Sequence, residues 1–223
     1  MTQSGYAVAR RPAQWWLALM LMTFMQPLLA QPAPRAATVA TTKTVLVMGD
    51  SLSAGYGLGP TEGWVPLTTA KVTQEKPGWK VVNASISGET SAGGASRIAT
   101  QLQRLRPAVV VIELGANDGL RGLPLAQTRT NLEKMITASQ QAGAKVLLLG
   151  MQMPPNLGRA YTEGFAGNFS ALAKQYDTAF IPFFLQPIAS DRGNFQPDNL
   201  HPTAAVQPQI RDFVWPKLAP LLK

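Results

Sequence analysis

Residues 108–119 read AVVVIELGANDG, and this stretch decides the fold. Its first seven residues are apolar except for Glu113 and show no polar alternation, which is the pattern of a strand buried on both faces. A half-exposed antiparallel strand would place a polar residue at every second position. The run then opens into Gly115-Ala116-Asn117-Asp118-Gly119, a cluster of turn formers. In open parallel sheets, ligands bind at such strand ends.

Four more runs of this kind flank it: residues 44–48 (TVLVM), 80–83 (KVVN), 145–150 (KVLLLG) and 178–182 (TAFIP). Longer amphipathic stretches lie between and after them, predicting helices over residues 64–74, 91–105, 125–142, 165–176 and 203–221. Strand and helix in alternation predict an α/β fold in which helices cover both faces of a five-stranded, mostly parallel sheet. The length of 223 residues suits one domain, and no internal repeat or later linker suggests a second.

The N-terminus reads as a targeting segment. Arg10 and Arg11 precede a continuous apolar stretch at residues 15–25 (WWLALMLMTFM), and residues 28–30 (LLA) end in a small side chain suited to cleavage. Residues 1–30 are therefore expected to be a signal peptide cut after Ala30, with Ala40 as the second choice. An uncut membrane anchor is the other reading, but Gln26 and Pro27 interrupt the run short of the ~20 residues that a spanning helix needs. Residues 31–43, rich in Pro, Ala and Thr, are expected to form a flexible lead into a domain at residues 44–223. Export places the protein in the periplasm or outside the cell.

Composition excludes several chemistries. With no cysteine there is no disulfide, thiolate nucleophile or thiolate metal site, and a single histidine excludes a multi-histidine metal centre. The net charge of +8 would suit nucleic acid if it were clustered, but basic residues are dispersed with no run of five. No nucleic-acid partner is expected. Gly55-x-Gly57-x-Gly59 follows the first strand, but its spacing is not that of a dinucleotide fingerprint.

Three strand exits carry polar and glycine residues: Gly49-Asp50-Ser51-Leu52-Ser53, residues 83–89 (NASISGE), and the Gly115 to Gly119 loop. Ser51 stands directly after a buried strand, but a serine hydroxyl needs a base within hydrogen-bond reach to act as a nucleophile. Only His201 can supply an imidazole. Asp198, three residues before it, can accept its second ring proton and hold the tautomer. Backbone amides of Ser51 and Gly88 and the side-chain amide of Asn117 are candidate donors to a tetrahedral oxyanion. Each residue also has a plainer reading: Ser51 as a helix cap, Asp198-Asn199 as a turn, His201 as a surface residue, Gly88 and Asn117-Asp118-Gly119 as ordinary turns. Their conjunction favours an active site.

These blocks resemble those of the SGNH (GDSL-type) hydrolases. Gly49-Asp50-Ser51-Leu52-Ser53, Gly88 in Ser87-Gly88-Glu89-Thr90, Gly115-Ala116-Asn117-Asp118 and Asp198-Asn199-Leu200-His201-Pro202 appear in the family's order, over essentially all of residues 44–222. Residues 52–56, 82–88 and 117–122 are similar to its branch of bacterial thioesterases, lysophospholipases and arylesterases. Gly115-Ala116 replaces a more usual double glycine, and Gly57 follows Tyr56 where a longer side chain often stands. The resemblance implies a flavodoxin-like, three-layer α/β/α domain with Ser51 as nucleophile, His201 as base and then acid, and Asp198 as the orienting carboxylate. It further implies Ser51, Gly88 and Asn117 as oxyanion donors and no metal or cofactor. Small-molecule acyl esters or thioesters (aryl esters, lysophospholipids and acyl-CoA type substrates) are the expected substrates, with transient contact with membrane lipid, and the chain is expected to be a monomer. The loop at residues 120–124 is implied to move over bound acyl chain, with Leu120 and Leu123 touching substrate. Asp50 and Glu113 are further acids near the site, and Asp50 is expected to brace neighbouring loop amides. A carbohydrate acetylesterase and a non-catalytic lipid-binding protein are the rival readings.

Overall fold

Five strands form one sheet in the order β2-β1-β3-β4-β5, and every pairing is parallel. They are β1 (Lys43–Gly49), β2 (Trp79–Asn83), β3 (Val109–Glu113), β4 (Lys145–Leu149) and β5 (Ala179–Ile181), in a computed structural model that describes residues 42–223. All five residues of β3 are buried, as the opening stretch predicted, whereas the edge strands β2 and β5 are only partly covered. The expected signal peptide at residues 1–30 and nearly all of the flexible lead at 31–43 lie outside the described residues.

Among the described residues seven α-helices accompany the sheet: α1 (Ser51–Ala54), α2 (Trp64–Glu75), α3 (Ser91–Leu105), α4 (Ala116–Leu120), α5 (Leu125–Gln141), α6 (Arg159–Gln175) and α7 (Gln207–Leu218). On one face α2 packs against α7, and on the other α3, α5 and α6 pack in a row, giving three layers. The apolar side chains that form the core run from Val45 to Leu222, so both layers and the sheet between them close within the described residues.

The helix boundaries differ from the sequence expectation at two places. Helix α6 begins at Arg159, six residues before the expected Phe165; the added turns are largely exposed apart from Tyr161, which packs against the core, and an Arg159–Glu163 pair spans them. The expected single helix over residues 203–221 is three pieces: a 3-10 turn at Ala204–Val206, α7, and a 3-10 turn at Ala219–Leu221. Pro220 lacks the N–H that would carry the α7 ladder onward, whereas Pro208 stands in the first turn of α7 and Pro216 is accommodated within it.

The strand order grows from β1 to β2 on one side and from β1 to β3 on the other. That reversal leaves a crevice outside the carboxyl ends of β1 and β3. Ser51 follows β1 by two residues and Asn117 follows β3 by four.

Candidate active site

The crevice begins at α1, a single helical turn. Asp50 caps it, its Oδ1 accepting the Leu52 N–H at 3.0 Å, so Ser51 occupies the first helical position. An N–H at that position has no helical acceptor. Crowding is the reason for a glycine at position 49. A Cβ there would stand 2.6 Å from Ser53 Cβ and 2.8 Å from Glu113 Oε2.

His201 lies on the loop between β5 and α7, 150 positions from Ser51, and its Nε2 is 2.8 Å from Ser51 Oγ. Its Nδ1 is 2.7 Å from Asp198 Oδ2. An Nδ1–H donated to that carboxylate leaves Nε2 free to accept the serine proton. Asp198 Oδ1 accepts the backbone N–H groups of Leu200 at 2.9 Å and His201 at 3.0 Å. The His201 backbone bond, followed by the imidazole bond, holds the Asp198 carboxyl down at about 2. Asn199, left-handed at φ 58°, tightens this loop so that acid and imidazole face each other three residues apart. Sequence reading thus named three residues that the fold brings into one hydrogen-bonded chain.

The other strand exits meet them. Gly88 has φ 78°, a conformation that favours glycine, and borders the same cavity as Ser51. Asn117 lies in α4, and its Nδ2 donates to Asp50 Oδ2 at 3.1 Å and to the Glu89 carbonyl at 3.0 Å. Asp50 therefore joins the nucleophile turn to Asn117 rather than to the imidazole. Burial pushes its carboxyl up to about 6 against the opposing pull of the Leu52 amide. Glu113, fully enclosed beneath, accepts the Ser53 hydroxyl at 2.6 Å, and burial, then the Asp50 charge, raises it well above the usual range.

A cavity of about 470 Å³ opens over Ser51 and His201. Its wall is mainly apolar and includes Leu120, Met151, Met153, Phe183, Leu185 and Phe195. Leu123, expected beside Leu120, is not part of that wall; its carbonyl instead accepts the Tyr161 hydroxyl at 3.0 Å. Chain direction explains the difference, since the α4 turn ends at Leu120 and the following residues lead away into α5.

Several contributors escaped the sequence reading. Met151, Met153, Phe183 and Leu185 follow β4 and β5, and the rule that ligands sit at strand carboxyl ends applies to those exits too. Tyr56 packs its ring on His201 at a centroid distance of 4.5 Å. Gln196 ties the two loops together, its Nε2 donating to the Tyr56 carbonyl at 2.9 Å while its backbone N–H donates to the His201 carbonyl at 2.7 Å. Glu89 pairs with Arg97 through two hydrogen bonds, one of them Nε to Oε1 at 2.7 Å. Asp118 anchors the Asn117 turn by accepting the Ser91 backbone N–H at 2.7 Å.

A parallel five-stranded sheet with a serine, an imidazole and a carboxylate at its switch point defines a class, and residues 47–207 match the GDSL-like Lipase/Acylhydrolase family. The chain belongs to that family. It is 49% identical over 183 residues to esterase TesA of Pseudomonas aeruginosa, covering 82% of this chain and 91% of that one. It is 39% identical to thioesterase 1/protease 1/lysophospholipase L1 of Escherichia coli K12, with 82% and 86% covered. Among solved structures, the psychrotrophic esterase EstA from Pseudoalteromonas sp., inhibited by monoethylphosphonate, superposes with a TM-score of 0.76 at 40% identity, over 81% of this chain and 98% of that chain.

Proposed function

We propose that the protein is a serine hydrolase of acyl esters and thioesters that acts through an acyl-enzyme. The observation that carries this reading is the chain Ser51 Oγ, His201 Nε2, His201 Nδ1, Asp198 Oδ2, at 2.8 and 2.7 Å, on the floor of an apolar cavity. Named relatives that are esterases, a thioesterase and an arylesterase support it.

In the first step Ser51 Oγ attacks the acyl carbonyl while His201 takes its proton, and Asp198 stabilises the imidazolium that forms. The oxyanion is held by the N–H groups of Ser51 and Gly88 and by Asn117 Nδ2, which exchanges one of its resting acceptors for the new charge. His201 then protonates the leaving alcohol or thiol. Water, activated by the same imidazole, attacks the acyl-enzyme and restores Ser51. All protons move through His201, and no residue of the site needs a metal or cofactor for these steps.

The cavity wall supports an acyl chain as the occupant, with Leu120 touching it, and argues against a carbohydrate acetylesterase, whose polar substrate would strand on apolar surface. The decisive comparison is turnover of p-nitrophenyl octanoate against acetate. Retention of the octanoate supports the proposal, and activity confined to acetate favours the sugar deacetylase. Ser51→Ala should abolish both turnover and labelling by a fluorophosphonate. Labelling that survives the substitution would refute the assignment of nucleophile, and absence of labelling in the parent would favour a non-catalytic lipid binder. We further propose export with cleavage after Ala30, action as a monomer, and no nucleic-acid partner.

A further inference from the structure

Large apolar side chains that stay exposed are normally scattered singly over a protein surface. Among the described residues they are Tyr56, Ile86, Leu120, Leu157 and Leu200, and all five share one edge. Tyr56 follows β1, Ile86 follows β2, Leu120 follows β3, Leu157 follows β4, and Leu200 sits on the His201 loop after β5. Three of them, Tyr56, Leu120 and Leu200, also line the cavity. Ile86 immediately precedes the lining residue Ser87, and Leu157 closes a 3-10 turn that starts one residue past the lining Pro154. The mouth of the cavity therefore carries an apolar rim drawn from every strand exit.

Cations interleave this rim. Exposed Arg121 adjoins Leu120 and donates to the Gly88 carbonyl at 3.0 Å. Exposed Arg192 donates to Asn199 Oδ1 at 2.6 Å, beside Leu200. Neither is ion-paired among the described residues. Of the carboxylates on this loop, Asp198 is engaged by His201 and Asp191, next to Arg192, accepts the Gly193 N–H at 2.8 Å, while Glu163 is engaged by Arg159.

We propose that the rim docks on a lipid surface bearing anionic headgroups, with the cavity mouth turned toward the lipid. The apolar tips enter the boundary between headgroups and acyl chains, and Arg121 and Arg192 meet the phosphates. An acyl chain then passes from the lipid into the cavity without crossing water, a consequence that rests on the hydrolase reading; the docking itself does not. No described helix is long and apolar enough to cross a membrane, so the contact is made by side-chain tips on loops.

The test uses the processed chain beginning at Gln31, which lacks the apolar N-terminal stretch, and vesicles of phosphatidylcholine with and without phosphatidylglycerol. The protein should sediment with the anionic vesicles, and less so as salt is raised. Ile86→Ser combined with Leu157→Ser should weaken that binding on the order of a hundredfold. Because neither side chain lines the cavity, turnover of soluble p-nitrophenyl acetate and the melting temperature should stay at parent values. Failure of the parent to bind, unchanged binding by the double variant, or a dimer on size exclusion that the double variant dissociates would each overturn the proposal, the last by making the rim a self-interface. Ser51→Ala separates the two readings. It should bind vesicles as the parent does while showing no turnover, whereas vesicle binding by a parent chain that hydrolyses no ester would remove the hydrolase reading while leaving the docking surface.

Discussion

The carboxyl of Asp50 is buried one residue before the proposed nucleophile, and its position at about 6 instead of 3.8 has a readable consequence for stability. The folded chain holds this proton more tightly than the unfolded chain, so the stabilisation is complete below about pH 3.8 and is lost as pH climbs through about 6. Asp50→Asn still caps α1 but cannot ionise. It should melt above the parent at pH 7 and show no advantage at pH 4, as thermal scans at the two values would reveal. At the other end of the site, Asp198→Asn keeps the loop but disturbs the imidazole tautomer, and kcat should fall by roughly 10³ to 10⁴ with little change in KM. Ser51, Asp198 and His201 were legible because their functional groups have few other uses in that combination. Glu89, Arg97 and Gln196 were not, since a surface salt bridge and a polar loop residue look the same in sequence as these half-buried braces.

Among the elements, strands were the most readable. Continuous apolar runs of the right length found all five, and no edge differed by more than one residue. Helices were harder where burial marks the sequence at a single position, as with Tyr161 in the largely exposed first turns of α6, or where a helix was too short to show a period, as in α1 and α4. The close packing of α3 was equally hidden. At Gly94 a Cβ would lie 2.3 Å from Leu114 Cδ1 and 2.8 Å from Met135 Sδ, so the helix approaches β3 and α5 through a missing side chain. Gly94→Val should destabilise the fold by about 3 kcal/mol, measured by urea unfolding, with near-normal activity in whatever fraction remains folded. Arg97→Met leaves the largely buried Glu89 carboxylate without its partner and should cost about 3 kcal/mol. Because Glu89 also offers its carbonyl to Asn117, that variant should lose turnover as well.

For the molecule as a whole, the parallel architecture and the edge that carries the site followed from the sequence, because alternation and strand-end composition are properties of long stretches. The cavity wall did not, since it is assembled from five exits whose convergence depends on strand order. The proposed export predicts that N-terminal sequencing of the protein released by cells reads from Gln31, and light scattering of that form should give a monomer mass. The separation of 150 positions between Ser51 and His201 has a further effect on when the chain gains its chemistry. The serine directly follows the first strand to emerge during synthesis, while its proposed base arrives only with the loop before the last helix. A nascent chain thus carries a hydroxyl with no proton acceptor until the final segment has been delivered and docked.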